Sequence, residues 1–290
     1  MDHAALAGWA DVSPRELHLL ELADDELHED VGGSRVARAA AGAGLRVRGP
    51  QQSRYDLVAD TRGLLRVDQA RLRALNRIAD VTLYTRLDRE PVEADSVVAS
   101  VKVSPIAIPE ARVAAVEDIC RAADAALLEV VPFHSKRVAA LTTEPLGPAD
   151  EASLRAAIER KLAWYGASLT DLRLVAPGVD RVVAAFQTVL QAGNELVLVA
   201  GGNPIDPLDP VEQALPSVGA RLAHRGAPMR GSMGWLAYAG AVPILNLTAS
   251  RMYRGTSMAD VLLPMLMADQ PVTAEEVGDL GYGGFPGSAI

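Results

Sequence analysis

Hydrophobic and polar positions along the chain fall into two textures. From Leu45 to about Val103, short apolar-rich runs are separated by turn residues. They are Tyr55-Asp56-Leu57-Val58, Leu64-Leu65-Arg66-Val67, Val81-Thr82-Leu83-Tyr84 and Val97 to Val103, and each predicts a strand. Asp68 to Arg77 reads as an intervening helix with Asp68 as its cap. Upstream, Ser13-Pro14-Arg15-Glu16 has the form of a capping box with proline at the first helical position. Gly42-Ala43-Gly44 ends an Ala-rich helix. These elements predict a small α+β module over residues 1–130, closed by a connecting helix from Glu110 to about Ala126.

The second texture alternates longer helical and strand patterns. Arg137 to Thr142, Leu169 to Val175, Glu195 to Ala200 and Pro243 to Leu247 predict strands. Pro148 to Trp164, Val179 to Gln191 and Thr256 to Met267 predict helices. Strands that are apolar nearly throughout belong to a parallel sheet covered on both faces. The expected fold class is therefore α/β, a three-layer domain with a mostly parallel sheet over residues 131–290. The glycine-rich stretch after Ala268 is expected to form a mobile or wrapping end.

Composition narrows the functional classes. Over 290 residues, 28 basic and 37 acidic side chains leave a formal charge of −9. That balance disfavours nucleic-acid binding by broad phosphate neutralisation, although a local nest of N–H groups can still hold a small anion. Cys120 is the single cysteine, so no intrachain disulfide or Cys-rich metal site can form, and a buried helical position is expected. The five histidines are scattered without metal-ligand spacing. No apolar run approaches the ~20 residues of a membrane span, and the start of the chain lacks signal-peptide character. A cytoplasmic location, with no membrane and no nucleic-acid partner, is the expectation.

The stretch most informative about chemistry is Val199-Ala200-Gly201-Gly202-Asn203-Pro204-Ile205-Asp206-Pro207-Leu208-Asp209-Pro210. A buried strand stops, two glycines follow, and two carboxylates come soon after. Glycines allow backbone N–H groups to approach an anion, and Asp206 and Asp209 are candidates to place Mg²⁺. The plainer alternative is a turn whose aspartate caps the next helix. Prolines 204, 207 and 210 remove donors, which confines any cradle to Gly201, Gly202 and Asn203. Thr142-Thr143-Glu144 and Thr248-Ala249-Ser250-Arg251 would leave the same sheet edge, making Thr142, Thr143, Glu144, Ser250 and Arg251 candidate pocket residues. Gly231-Ser232-Met233-Gly234 falls one residue short of a hydrolase elbow, and Ser232 is read as a helix cap.

With these residues in view, the chain resembles the molybdopterin-binding domain of the MoaB, Mog, MoeA and gephyrin group over about residues 134 to 268. More closely, residues 26 to 290 resemble a bacterial subgroup of stand-alone molybdopterin-binding proteins. The resemblance rests on Val199 to Asp209, on Gly226-Ala227-Pro228 and on Pro243 to Ser250, with Gly231 to Gly240 matching the family's small-residue helix. It implies binding of a pterin dithiolene phosphate in molybdenum cofactor biosynthesis or delivery and, for active members, adenylylation with Mg-ATP or molybdate insertion. In that reading Asp206 and Asp209 are the catalytic, Mg-placing pair. A homo-oligomer and a molybdoenzyme partner are implied in the same way. The sequence departs from the pattern at Ala200, at Asn203-Pro204 and at Thr248-Ala249-Ser250, where a threonine, a small pair and a Pro-Gly turn are usual. A non-catalytic carrier or scaffold is therefore the alternative, and an unrelated nucleotide-binding α/β protein is a third.

Overall fold

The computed structural model describes residues 20–229, 233–247 and 257–281. The expected capping box at Ser13, the cap at Ser232, the candidates Ser250 and Arg251 and the glycine-rich tail beyond residue 281 lie outside the described residues.

The first part of the chain builds three small sheets around one core. Its elements are β1 (Glu26–His28), α1 (Glu29–Ala40), β2 (Leu45–Gln51), β3 (Arg54–Ala59), β4 (Gly63–Val67), α2 (Gln69–Leu75), β5 (Val81–Thr85), β6 (Pro91–Val92), β7 (Val97–Val103), β8 (Ala107–Pro109), α3 (Glu110–Arg121) and β9 (Leu128–Pro132). The sheets run β2-β3-β7-β5, β6-β4-β9 and β1-β8, with antiparallel pairing throughout. Asp68 caps α2 by accepting the Arg71 N–H at 2.9 Å. The helix from Glu110 stops at Arg121, five residues short of the expected end, and Cys120 is buried in its last turn. Burial pushes the Cys120 thiol up to about 11, leaving it an apolar filler rather than a nucleophile.

The second part carries β10 (Arg137–Thr142), α4 (Pro148–Trp164), β11 (Ser168–Leu174), α5 (Val179–Gln191), β12 (Leu196–Ala200), α6 (Pro210–Ala214), β13 (Ala220–Arg225), β14 (Trp235–Ala239), β15 (Val242–Leu247), α7 (Met258–Met267) and α8 (Ala274–Asp279). One sheet runs β11-β10-β12-β15-β14-β13. Its first four strands are parallel, and β14 and β13 add antiparallel at one end.

The period-2 alternation of a strand sorts the core into two layers. On one face Val138, Ala140, Leu196, Leu198 and Leu245 pack with Ile158 and Leu162 of α4 and Leu262, Leu263 and Leu266 of α7. On the other face Ala139, Leu141, Val197, Val199 and Ile244 pack with Val182, Phe186 and Val189 of α5 and Val211 of α6. This is the expected helix–sheet–helix sandwich. One segment differs from expectation. The second half of Gly231–Gly240 forms β14 rather than a small-residue helix, because Trp235, Leu236 and Ala237 are buried to opposite faces of the sheet.

The two parts are joined by buried contact and by charge. Leu64 of β4 packs in the same layer as Val138 and Leu162. Arg66 donates to Gln270 Oε1 at 2.9 Å, and Arg89 donates to the Glu276 carbonyl at 2.7 Å. Among the described residues no helix is long and apolar enough to cross a membrane.

Candidate functional site at the glycine loop

Parallel strands β11, β10, β12 and β15 all end on one edge of the sheet, at Leu174, Thr142, Ala200 and Leu247. In open α/β sheets, ligands bind beyond such carboxyl ends. Thr142 lies opposite Ala200, and Ala200 opposite Leu247, so the loops that follow leave side by side.

The loop after β12 depends on its two glycines. Gly201 has φ +97° and Gly202 +83°, where a residue with a Cβ is strained by about 1–2 kcal/mol. A Cβ on Gly201 would sit 2.7 Å from Glu144 Cγ, and one on Gly202 would sit 3.2 Å from Asp209 Oδ2. The bare backbone thus fits between Glu144 on one side and Asp209 on the other.

Asp209 holds the loop from beneath and is 7% exposed. Its Oδ2 accepts the Asn203 N–H at 2.7 Å, while Oδ1 accepts the Val211 N–H at 2.9 Å as the cap of α6. Pro210 occupies the first helical position, where no donor is needed. Asp206 accepts the Leu208 N–H at 2.9 Å, and its own N–H donates to the Asn203 carbonyl at 2.9 Å. Arg225 of β13 donates to the Pro204 carbonyl at 2.9 Å and also pairs with Glu212. Burial raises the Glu212 carboxyl above its usual range, and the neighbouring Arg225 only partly offsets this.

From β10, Thr142 is buried at 1% exposure, and its hydroxyl accepts the Glu144 N–H at 3.2 Å. Thr143 and Glu144 are half-buried beside the loop. From β15 comes Asn246, set within an otherwise apolar strand. It is 2% exposed, and its Nδ2 donates to the Gly201 carbonyl at 2.8 Å. A lone amide inside Pro243-Ile244-Leu245-Asn246-Leu247 was the available signal, since buried polar residues are the informative exception. Arg225 had no comparable signal, because its strand is mostly solvent-facing.

The structure therefore brings Thr142, Thr143, Glu144, Gly201, Gly202, Asn203, Asp206 and Asp209 to one sheet edge. Of the three expected cradle donors, Gly201 N–H is spent on the Leu247 carbonyl at 3.1 Å and Asn203 N–H on Asp209. Among the described residues, the Gly202 N–H alone of the three has no partner. Both oxygens of Asp209 accept backbone N–H groups, so it acts first as clamp and cap. No group of three His, Cys, Asp or Glu side chains among the described residues is placed to hold a metal ion.

No protein-family model matches the sequence, and no curated protein matches it at a significant level. Among solved structures, the molybdopterin biosynthesis Mog protein from Mycobacterium ulcerans is similar at 20% identity and a TM-score of 0.32. The match covers 47% of this chain and 93% of that one. A molybdopterin biosynthesis protein from Mycobacterium abscessus is similar at 17% identity and 0.33, over 46% and 90%. A structure of molybdenum cofactor biosynthesis protein B is similar at 12% identity and 0.33, over 52% and 95%. The strand order and the two covered faces define the α/β fold without help from these values.

Proposed function

We propose that this chain is a molybdopterin-binding protein acting in molybdenum cofactor biosynthesis or delivery, with the loop Gly201–Asp209 as the ligand site. The observation that carries this reading is the convergence of three parallel strand ends on two consecutive positive-φ glycines. The motifs around residues 199–209 and 243–250, which resemble the molybdopterin-binding family, support it further. Asp209 is committed to the backbone on both oxygens, which favours binding over Mg-dependent chemistry. Should Mg-ATP take part, Asp206, which commits one oxygen to the Leu208 N–H, would be the carboxylate to hold the cation. Thr142, Thr143 and Glu144 would line the pocket, as would Ser250 and Arg251. The proposal includes a homo-oligomer, a molybdoenzyme as recipient, and residues 1–130 as an accessory module. Incubation of pterin-loaded protein with Mg-ATP separates the two forms of this reading. Retained pterin without nucleotide turnover supports a carrier, and formation of an adenylylated pterin assigns a transferase.

A further inference from the structure

Asn246 is an exception to the apolar core around it. Its Nδ2 faces two carbonyl oxygens, that of Gly201 at 2.8 Å and that of Val199 at 3.4 Å. Exchanging Oδ1 and Nδ2 would set an acceptor against two acceptors, so the amide orientation is settled by its surroundings. Its Oδ1 is buried without a partner among the described residues. An orphaned buried acceptor is destabilising, and a leucine would fill the same space without that cost. Stability alone thus does not account for an amide here; the Gly201 carbonyl is what the amide holds.

That carbonyl belongs to the same peptide unit as the Gly202 N–H. In a trans peptide the C=O and N–H point in opposite directions, so fixing one aims the other. We infer that Asn246 is a positioning residue: by holding the Gly201 carbonyl it turns the Gly202 N–H away from the sheet, as the one of the three cradle donors that it orients toward an oxygen of the ligand's phosphate. The two flanking donors are already consumed, on Leu247 and on Asp209. This inference rests on the proposed function for the identity of the ligand but not for the orientation of the peptide.

The test is amide NMR on ¹⁵N-glycine-labelled full-length protein, wild type beside Asn246→Leu and the isosteric Asn246→Asp, both checked for folding by thermal melting. Without ligand, the wild-type Gly202 amide is expected to exchange rapidly with water. A protected Gly202 amide overturns the inference whatever the ligand. On adding molybdopterin, the wild-type Gly202 proton is expected to move downfield, and a folded variant to bind about tenfold or more weaker with a reduced shift. A bound ligand that leaves Gly202 unmoved, or folded variants that match wild type, overturns the role of Asn246 and leaves the binding reading standing. Absence of wild-type binding with a rapidly exchanging Gly202 amide sinks the binding reading and with it the phosphate role, leaving only the peptide orientation.

Discussion

Asn203 donates its backbone N–H to the Asp209 carboxylate at 2.7 Å, so one side chain both ties down the glycine loop and caps the helix that follows it. Removing the carboxylate frees the loop and the first turn of α6 together. Asp209→Ala is expected to lose about 1–2 kcal/mol in chemical denaturation, the usual cost of a lost cap. Asp209→Asn keeps one acceptor oxygen and should lose less. Equal losses for the two would show that the loop does not depend on this clamp.

The two glycines answer to different neighbours. Gly201→Ala combines a positive φ with a 2.7 Å approach to Glu144, whose flexible side chain must move aside. Gly202→Ala meets the Asp209 carboxylate at 3.2 Å, and that group is fixed by its own bonds. Each is expected to destabilise by about 1–2 kcal/mol through backbone strain. A Gly201→Ala, Glu144→Ala double variant should recover only the part due to crowding. Full recovery would contradict the role of φ.

Arg89 links the first part of the chain to α8, donating to the Glu276 carbonyl at 2.7 Å and to Asp279 at 3.1 Å. Asp88 beside it accepts the Val67 N–H at 2.9 Å and pairs with Arg66, which reaches Gln270. Arg89→Ala is predicted to speed amide exchange in residues 277–281 about tenfold, a loss of roughly 1–2 kcal/mol of local protection. The amides of β12 should be unaffected. A uniform change across the chain would mean that α8 does not open on its own.

Acid sensitivity follows from carboxylates held below their usual range. The Arg35 guanidinium bonded to Glu117 lowers that carboxyl. For Asp260, burial alone would raise it, but bonds from Lys161 and from the Ser257 N–H outweigh burial and lower it. A folded value below the unfolded one stabilises above the ordinary carboxylate pKa, and that stability is lost as pH falls through the folded value. Resistance to urea unfolding should therefore weaken below about pH 4. Lys161→Met should flatten that dependence, and an unchanged pH profile would rule out the Asp260 contribution.

Much of the architecture was legible because β10 and β12 are buried on both faces and read as apolar runs, as does β15 apart from Asn246. The capping aspartate Asp68 was legible for a local reason, its bond to the Arg71 N–H. What failed was equally physical. The family resemblance implies a helix over Gly231–Gly240, whereas β14 takes its place between β13 and β15 by long-range pairing. β13 escaped notice because it is an edge strand whose side chains mostly face solvent. In the site, the glycine loop was visible as glycines after a strand, and Asp209 as a cap or a metal ligand. Arg225 gave no signal and Asn246 only that of a lone amide in an apolar strand, since both act on loop carbonyls that are distant in sequence.

The most direct test of the central claim is calorimetric titration of the purified protein with molybdopterin, with and without Mg-ATP, beside a Gly202→Asp variant. A side chain at Gly202 strains the loop and sets a second carboxylate against Asp209. The account predicts binding in the micromolar range or tighter for wild type and its loss in a variant that still folds. A folded wild-type protein that takes up no molybdopterin, or a variant that binds as tightly, would contradict it.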